Sequence, residues 1–403
     1  MGDNVLTGPG IASRQPTAVA SRQPTAEPRP ELVELAASLA PRLAERAAGY
    51  DEADAFAAED LRDLVEAGYT TLTVPADLGG HGAGPLDLIA AQARLAQGSP
   101  ATALAVNMHL HGVGILAEGL RSAVEPFLKK VVTEGAVLGG GFSEPQSGGN
   151  WWYQATTATR VDGGWRLAGV KTFFTGFPGI THLFMTAGVD TEAGREPIAF
   201  LFPRPESGVR VLGQWKAMGM RATGSNALAI DDLVVADEHV VAKGFGIASS
   251  FLLGAHWSWL SFASVFLGAA EAAYEHVVAT LPGRRNEGLG STLAELPGVQ
   301  QAVGQMRMLL DAARATLYAA ARRPVGDPVD HYGRMAAAKL FTCQTALEVC
   351  TLAMRTAGGS GYLRTAPLER LLRDAHAGLL LPPSHDATLQ WVGRVELGAG
   401  AAP

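Results

Sequence analysis

An imidazole and a carboxylate stand side by side in His385-Asp386, directly after Leu381-Pro382-Pro383-Ser384. A pair of that kind can take a proton from carbon or hand one to a leaving group. The two prolines stiffen the backbone ahead of it, which suits a fixed placement. The same residues also suit an exposed helix start, with Asp386 capping and His385 idle. A second stretch offers a different chemistry. Gly139-Gly140-Gly141-Phe142-Ser143-Glu144-Pro145-Gln146-Ser147-Gly148-Gly149 is a glycine-rich loop whose backbone could approach a ligand and present N–H groups to it. Two runs rich in Thr, Val, Trp and Phe follow, over 153–162 and 165–175, joined by Asp162-Gly163-Gly164, a turn suited to a hairpin. Dinucleotide and P-loop sites need strand, glycines and then helix, so this loop belongs to neither. It sits on a sheet edge or a barrel mouth.

Phe142-Ser143-Glu144-Pro145, then Gly148-Gly149-Asn150, then Lys171-Thr172-Phe173-Phe174-Thr175 resembles the flavin-binding middle domain of the acyl-CoA dehydrogenase family. Lys216-Ala217-Met218-Gly219-Met220-Arg221-Ala222-Thr223-Gly224-Ser225 is similar to that family's Met-Gly-x-Arg-x-(Ser/Thr) strand. Gly358-Gly359-Ser360-Gly361-Tyr362 with Leu368-Glu369-Arg370-Leu371-Leu372-Arg373-Asp374-Ala375 resembles its C-terminal signature. The motifs keep their order and spacing across about 32–398. The resemblance implies a bound FAD, with Phe142 and Ser143 along the isoalloxazine edge, Gly149 near the pyrophosphate, Phe173 against the ring and Thr175 hydrogen-bonded near N5. It further implies that the Gly358-Gly359 turn, Gln300 and an arginine at Arg284 or Arg285 meet the flavin of a neighbouring subunit, which makes a homodimer or homotetramer part of the site. Arg284-Arg285-Asn286-Glu287-Gly288 departs from the family's Arg-x-x-Phe-Gly.

The family's base is where the match fails. Its usual glutamate, seven residues after Arg-Asp-Ala, falls on Pro382, and the alternative position on the first bundle helix falls on Ser258. Three readings follow. In the first, His385 or Asp386 acts as a displaced base for α,β-dehydrogenation of an acyl thioester, carried by coenzyme A or a carrier protein, with an electron-transfer flavoprotein or oxygen as acceptor. In the second, reduced flavin and oxygen serve a monooxygenase, which needs no α-carbon base. In the third, the chain is a non-catalytic homologue.

Positioning such residues requires elements that composition and periodicity outline. With 403 residues the chain can build several substructures, and its net charge of -7 gives no electrostatic reason to expect nucleic acid or an anionic membrane as partner. Cys343 and Cys350, seven apart in a helix-like run, match no metal pattern and read as reduced core residues in a cytoplasmic protein. Residues 244–270 contain no Asp, Glu, Lys or Arg but hold several serines and His256, which suits a helix buried in a bundle better than a membrane span.

Residues 1–30 carry the repeat Ala-Ser-Arg-Gln-Pro-Thr-Ala twice and read as a disordered tail without the apolar run of a secretory signal. From 31 to 136 the apolar spacing is helical, giving four or five helices; Ala103 to His111 reads as a core helix, which in the family also walls the acyl pocket. Over 137–243 the period becomes two, as expected of an antiparallel β-barrel or sandwich of seven or eight strands. From 244 to 403 helical spacing returns, at 247–281, 298–321 and 330–355, with a last recognisable helix beginning near Leu368, and reads as a four-helix bundle. The fold class is therefore α+β and multidomain: an all-α N-terminal domain, a middle β-domain and a C-terminal bundle, which is also the architecture the resemblance implies.

Overall fold

The computed structural model describes residues 27–146, 154–192, 194–288, 290–322 and 328–398; the repeat of the N-terminal tail and Gly149 lie outside them. Five helices come first: α1 (Pro30–Glu52), α2 (Ala58–Glu66), α3 (Pro85–Ala96), α4 (Pro100–Gly119) and α5 (Arg121–Glu134). Between α2 and α3 the chain makes short 3-10 turns at Tyr69–Thr71 and Ala76–Leu78. Helix α4 starts because Ser99 accepts a hydrogen bond from Thr102 N and Pro100 occupies the first turn, where its missing N–H costs nothing.

Among the described residues, eight strands form the middle layer: β1 (Leu138–Gly141), β2 (Thr157–Val161), β3 (Gly164–Phe174), β4 (His182–Thr191), β5 (Gly194–Pro203), β6 (Val209–Val211), β7 (Asn226–Ala236) and β8 (Val240–Lys243). Their hydrogen-bonded order is β6-β7-β3-β2-β4-β5-β8, with β1 added on β4. The β2–β3 hairpin turns at Asp162-Gly163, Val161 facing Gly164. The sheet is mixed where an antiparallel one was expected. Strand β1 runs parallel to β4, and Thr157 of β2 faces Gly188 of β4 in the same sense. Along the chain the β2–β3 hairpin lies between β1 and β4, so no tight turn joins the two and antiparallel pairing is not imposed on them.

Part of the expected glycine-rich loop is strand β1 itself. A Cβ on Gly139 would lie 2.7 Å from the Phe174 ring and one on Gly141 would lie 2.6 Å from it. These glycines make room for a buried phenylalanine, not for a ligand.

The helical layer returns with α6 (Phe245–Thr280), a small hairpin of β9 (Arg285–Asn286) and β10 (Ser291–Thr292), then α7 (Pro297–Ala321), α8 (Pro328–Ala357), α9 (Leu368–His376) and α10 (His385–Glu396). Helix α10 extends the bundle beyond the last helix the periodicity showed. The uncharged stretch lies in α6, whose Leu260, Ala263, Phe266, Ala270 and Val277 are buried against helices α3, α4, α7 and α8. Among the described residues, no helix is long and apolar enough to cross a membrane. Cys343 and Cys350 are free and buried, and burial pushes the Cys343 thiol up to about 11.

Candidate active site

The Phe142–Glu144 segment is held to β3 by a buried ion pair. Lys171 donates to Glu144 Oε1 at 2.5 Å and to Gln154 Oε1 at 2.9 Å; Glu144 also accepts from Thr156 N at 3.1 Å and from Ala155 N. Thr172 N donates to the Ser143 carbonyl at 2.8 Å, which continues the attachment. Burial drives Lys171 down to about 8 against the pull of Glu144. Burial alone would raise Glu144, but the Lys171 ammonium and its hydrogen bonds outweigh it and hold the carboxyl below its usual range. The carboxylate and lysine of two recognised motifs therefore build the platform and take no part in chemistry at its surface. Phe142 packs on Phe184, with ring centroids 5.4 Å apart.

At the far end of β3 the chain turns a large apolar side chain outward. Between Lys171 and Phe174 the pairing with β7 gains one residue, since their partners Leu228 and Asn226 are only two apart. The extra residue makes a bulge, and Phe173 adopts φ +52°, a left-handed conformation unusual for a bulky residue. Phe173 is 63% exposed while Phe174 is fully buried. The Trp215 ring meets Phe173 edge-on, with centroids 6.1 Å apart, and Trp215 Nε1 donates to the Met220 carbonyl at 3.1 Å. An aromatic ring aimed at solvent by a strained bulge, braced by a second ring, is a surface that a planar group would cover. Beside it the Thr175 hydroxyl lies 2.8 Å from Ser225 Oγ. These residues fit a flavin ring.

The other motifs meet at a junction. Arg373 reaches both carboxylate oxygens of Asp51 and donates to the Met218 carbonyl at 2.9 Å, while Asp374 accepts from Met220 N. Gly219 fits between them because a Cβ there would lie 2.4 Å from the Arg373 carbonyl oxygen. Helix α1, the loop before β7 and helix α9 are thus fastened at one point. Burial pushes Asp374 up to about 6, with the Met220 amide and Arg370 opposing it.

The structure brings Arg284 to the glycine turn within one chain: its Nη1 donates to the Ala357 carbonyl and to Ser360 Oγ, both at 2.7 Å. Gly358 has φ +66° and ends α8, and nothing lies within 4 Å of where a Cβ on Gly358 or Gly359 would sit. Gln300 donates to the Ala294 carbonyl at 3.0 Å near the start of α7. Tyr362 and Leu363, next to this turn, are exposed.

His385 opens α10, its Nδ1 2.7 Å from Asp386 Oδ1, and the Asp386 side chain is 99% exposed. Among the described residues, no hydrogen bond or ion pair joins either one to Phe173 or Thr175. Pro382 is exposed, and the Ser258 hydroxyl donates to the Gly254 carbonyl of its own helix at 2.6 Å. What fixes this segment is Lys339, a fully buried residue of α8 whose ammonium donates to the carbonyls of Gly378, Leu381 and Pro383 at 2.9, 2.7 and 2.9 Å. Sequence reasoning missed it. The available signal was its place in the stripe Met335, Lys339, Cys343, where its neighbours four residues away on either side are buried.

Helix α4 contributes two buried histidines. His109 Nε2 lies 2.8 Å from the Thr70 carbonyl, which can only accept, and Leu138 N donates to Nδ1 at 2.9 Å. The ring is therefore neutral, with its proton on Nε2. His111 lies edge-on to Phe262, centroids 5.2 Å apart. Burial lowers both to about 4. Unfolded, they titrate near 6.5, so the unfolded chain binds protons that the folded one refuses as pH falls from about 6.5 to 4. The stability they confer is complete above that window and lost through it, on the order of 3 kcal/mol per histidine. Urea unfolding at pH 7 and pH 5 is expected to show the loss, with His109→Gln reducing the difference by about 2 kcal/mol. An unchanged difference in that variant would exclude His109 as a source.

Family comparison matches residues 31–134 to "Acyl-CoA dehydrogenase, N-terminal domain", 139–233 to the middle domain and 260–380 to the C-terminal domain. Among known proteins, the chain is 33% identical over 362 residues to a provisionally named acyl-CoA dehydrogenase of Bacillus subtilis (strain 168), YdbM, covering 87% of this chain and 92% of that protein. It is 29% identical over 373 residues to the amino sugar nitrososynthase RubN8 of Streptomyces rubradiris, covering 88% and 86%. Among solved structures it is similar to KijD3 in complex with FMN and dTDP-3-amino-2,3,6-trideoxy-4-keto-3-methyl-D-glucose. The TM-score is 0.83 at 27% identity, over 95% of this chain and 96% of that one.

Proposed function

Because the chain belongs to the acyl-CoA dehydrogenase family, a family of flavin oxidoreductases whose fold it shares, we propose that it is a flavin-dependent monooxygenase working with reduced flavin and oxygen. The observation that carries this reading is the state of the base positions. Pro382 cannot take a proton, Ser258 is spent on its own helix, and the Asp386 carboxylate beside His385 stands in solvent. Oxygen transfer to an electron-rich substrate needs no base for an α-carbon proton. RubN8, an amino sugar nitrososynthase, and KijD3, solved with FMN and a dTDP-linked amino sugar, are relatives whose names carry no acyl thioester, which supports a reaction other than acyl dehydrogenation.

When bound, the flavin supplies the redox chemistry. The chain's own residues do the holding. The exposed Phe173 ring would cover one face, Thr175 would meet the N5 edge, and Phe142 and Ser143 would border the ring on the platform built by Lys171 and Glu144. Arg284, Gln300 and the Gly358-Gly359 turn of a second copy complete an FAD site, so the working unit is a homodimer or homotetramer in the cytoplasm. Phe173→Ala is expected to weaken flavin binding by roughly 1–3 kcal/mol through loss of the ring contact, read by fluorescence titration. Unchanged affinity would remove Phe173 from the site.

A second reading, α,β-dehydrogenation of an acyl thioester with His385 or Asp386 as base, is favoured by the identity to YdbM. The two separate in an anaerobic cuvette. Under the monooxygenase reading no acyl-CoA bleaches the bound flavin, and chemically reduced flavin is reoxidised by oxygen. Bleaching by an acyl-CoA that is lost in His385→Gln or Asp386→Asn would establish the dehydrogenase instead.

A further inference from the structure

Three buried hydroxyls run inward from Thr175. Thr175 Oγ1 lies 2.8 Å from Ser225 Oγ, Ser225 Oγ lies 2.7 Å from Thr223 Oγ1, and Thr223 donates to the Met220 carbonyl at 2.9 Å. Each hydroxyl has a single proton, and a carbonyl can only accept. With the Thr223 proton committed to Met220, Ser225 must donate to Thr223 and Thr175 must donate to Ser225. The chain has one fully bonded arrangement, and it points inward. Thr175 then offers lone pairs, and no proton, to whatever lies beside Phe173. Its other near neighbour, the Phe173 carbonyl at 3.4 Å, is an acceptor too and does not change this.

We propose that the Thr175–Ser225–Thr223 relay makes this site an acceptor for the N5–H of reduced flavin, so that the protein takes up reduced flavin in preference to oxidised flavin. The proposal rests on the placement of Thr175 at the N5 edge given above. Reduced flavin carries a proton on N5, and oxidised flavin presents a bare nitrogen there. With reduced flavin the relay keeps its three bonds and Thr175 gains a fourth. With oxidised flavin, Thr175 can donate to N5 only by withdrawing its proton from Ser225, so one bond of the relay is given up and the total stays at three. The difference is one hydrogen bond, a factor of roughly ten in affinity. Thr175, Ser225 and Thr223 are positioning residues in this sense: they set which redox state the site accepts.

Anaerobic titration of the apoprotein with oxidised and with reduced FAD, together with the midpoint potential of the bound flavin, tests this. In the wild type the reduced form is expected to bind about tenfold more tightly, raising the two-electron potential above that of free flavin by about 30 mV. Ser225→Ala removes the acceptor that draws the Thr175 proton inward, and Thr223→Val removes the step that fixes the direction. Each is expected to abolish most of the preference, whereas Ser225→Thr retains it. An equal ratio in wild type, Ser225→Ala and Thr223→Val, with flavin still bound, overturns the relay and leaves the flavin site standing. A wild type that binds neither form overturns the proposed function along with it.

Discussion

Glu144→Gln is expected to destabilise the protein by about 3–5 kcal/mol in urea unfolding, because it leaves the ammonium of Lys171 buried without its counter-charge. Both side chains are inaccessible to water, so solvent cannot take over the role of the carboxylate. The double substitution Glu144→Gln with Lys171→Met removes the stranded charge as well and is expected to recover part of the loss. Stabilities that simply add would show that the two groups are not coupled. The damage is also expected to reach the ligand edge. The Glu144 carboxylate holds the Ala155 and Thr156 amides, and the adjacent Ser143 carbonyl holds Thr172 N, so Phe142 and Ser143 keep their place only while this attachment lasts.

Lys339→Met is expected to cost about 2–5 kcal/mol, since three carbonyls lose a charged donor and only part of that is returned by removing a buried cation. The effect should be local. Amides of 378–384 are expected to exchange faster with solvent while those of β3 and β7 stay protected. Uniform exchange rates across both regions, or an unchanged unfolding midpoint, would refute the assignment. Lys339 fixes the segment that leads into His385, so the same variant alters how α10 begins.

Much of this arrangement was legible in the residues. The hairpin at Asp162-Gly163, the strands of period two and the long helices α6, α7 and α8 follow local patterns, and the structure has them within a few residues of expectation. The motif around Phe173 was legible as a motif, but its geometry was not: the bulge that turns Phe173 outward depends on pairing with β7, more than fifty residues away. Gly139 and Gly141 looked like ligand-facing glycines because composition does not reveal that Phe174 packs against them. Lys339 was hidden for a similar reason. A lysine in a helix usually faces water, and only the carbonyls of a distant turn explain its burial. The hydroxyl relay needs Thr175 and Ser225 brought together across two strands, which no spacing in the chain announces.

The junction at Arg373 bears on how the protein is made. Asp51, the Met218 carbonyl and the Met220 amide all wait for partners that lie in α9. A ribosome delivers Asp51 more than three hundred residues before it delivers Arg373. During that interval helix α1 and the loop around Gly219 have no third member to close on. The buried faces they will share stay open to solvent until α9 has cleared the exit tunnel. The nascent chain is therefore expected to remain a client of holding chaperones until synthesis is nearly complete. For the same reason, a shortened version ending before Leu368 is expected to be degraded in the cell, while one that keeps Arg373 and Asp374 accumulates.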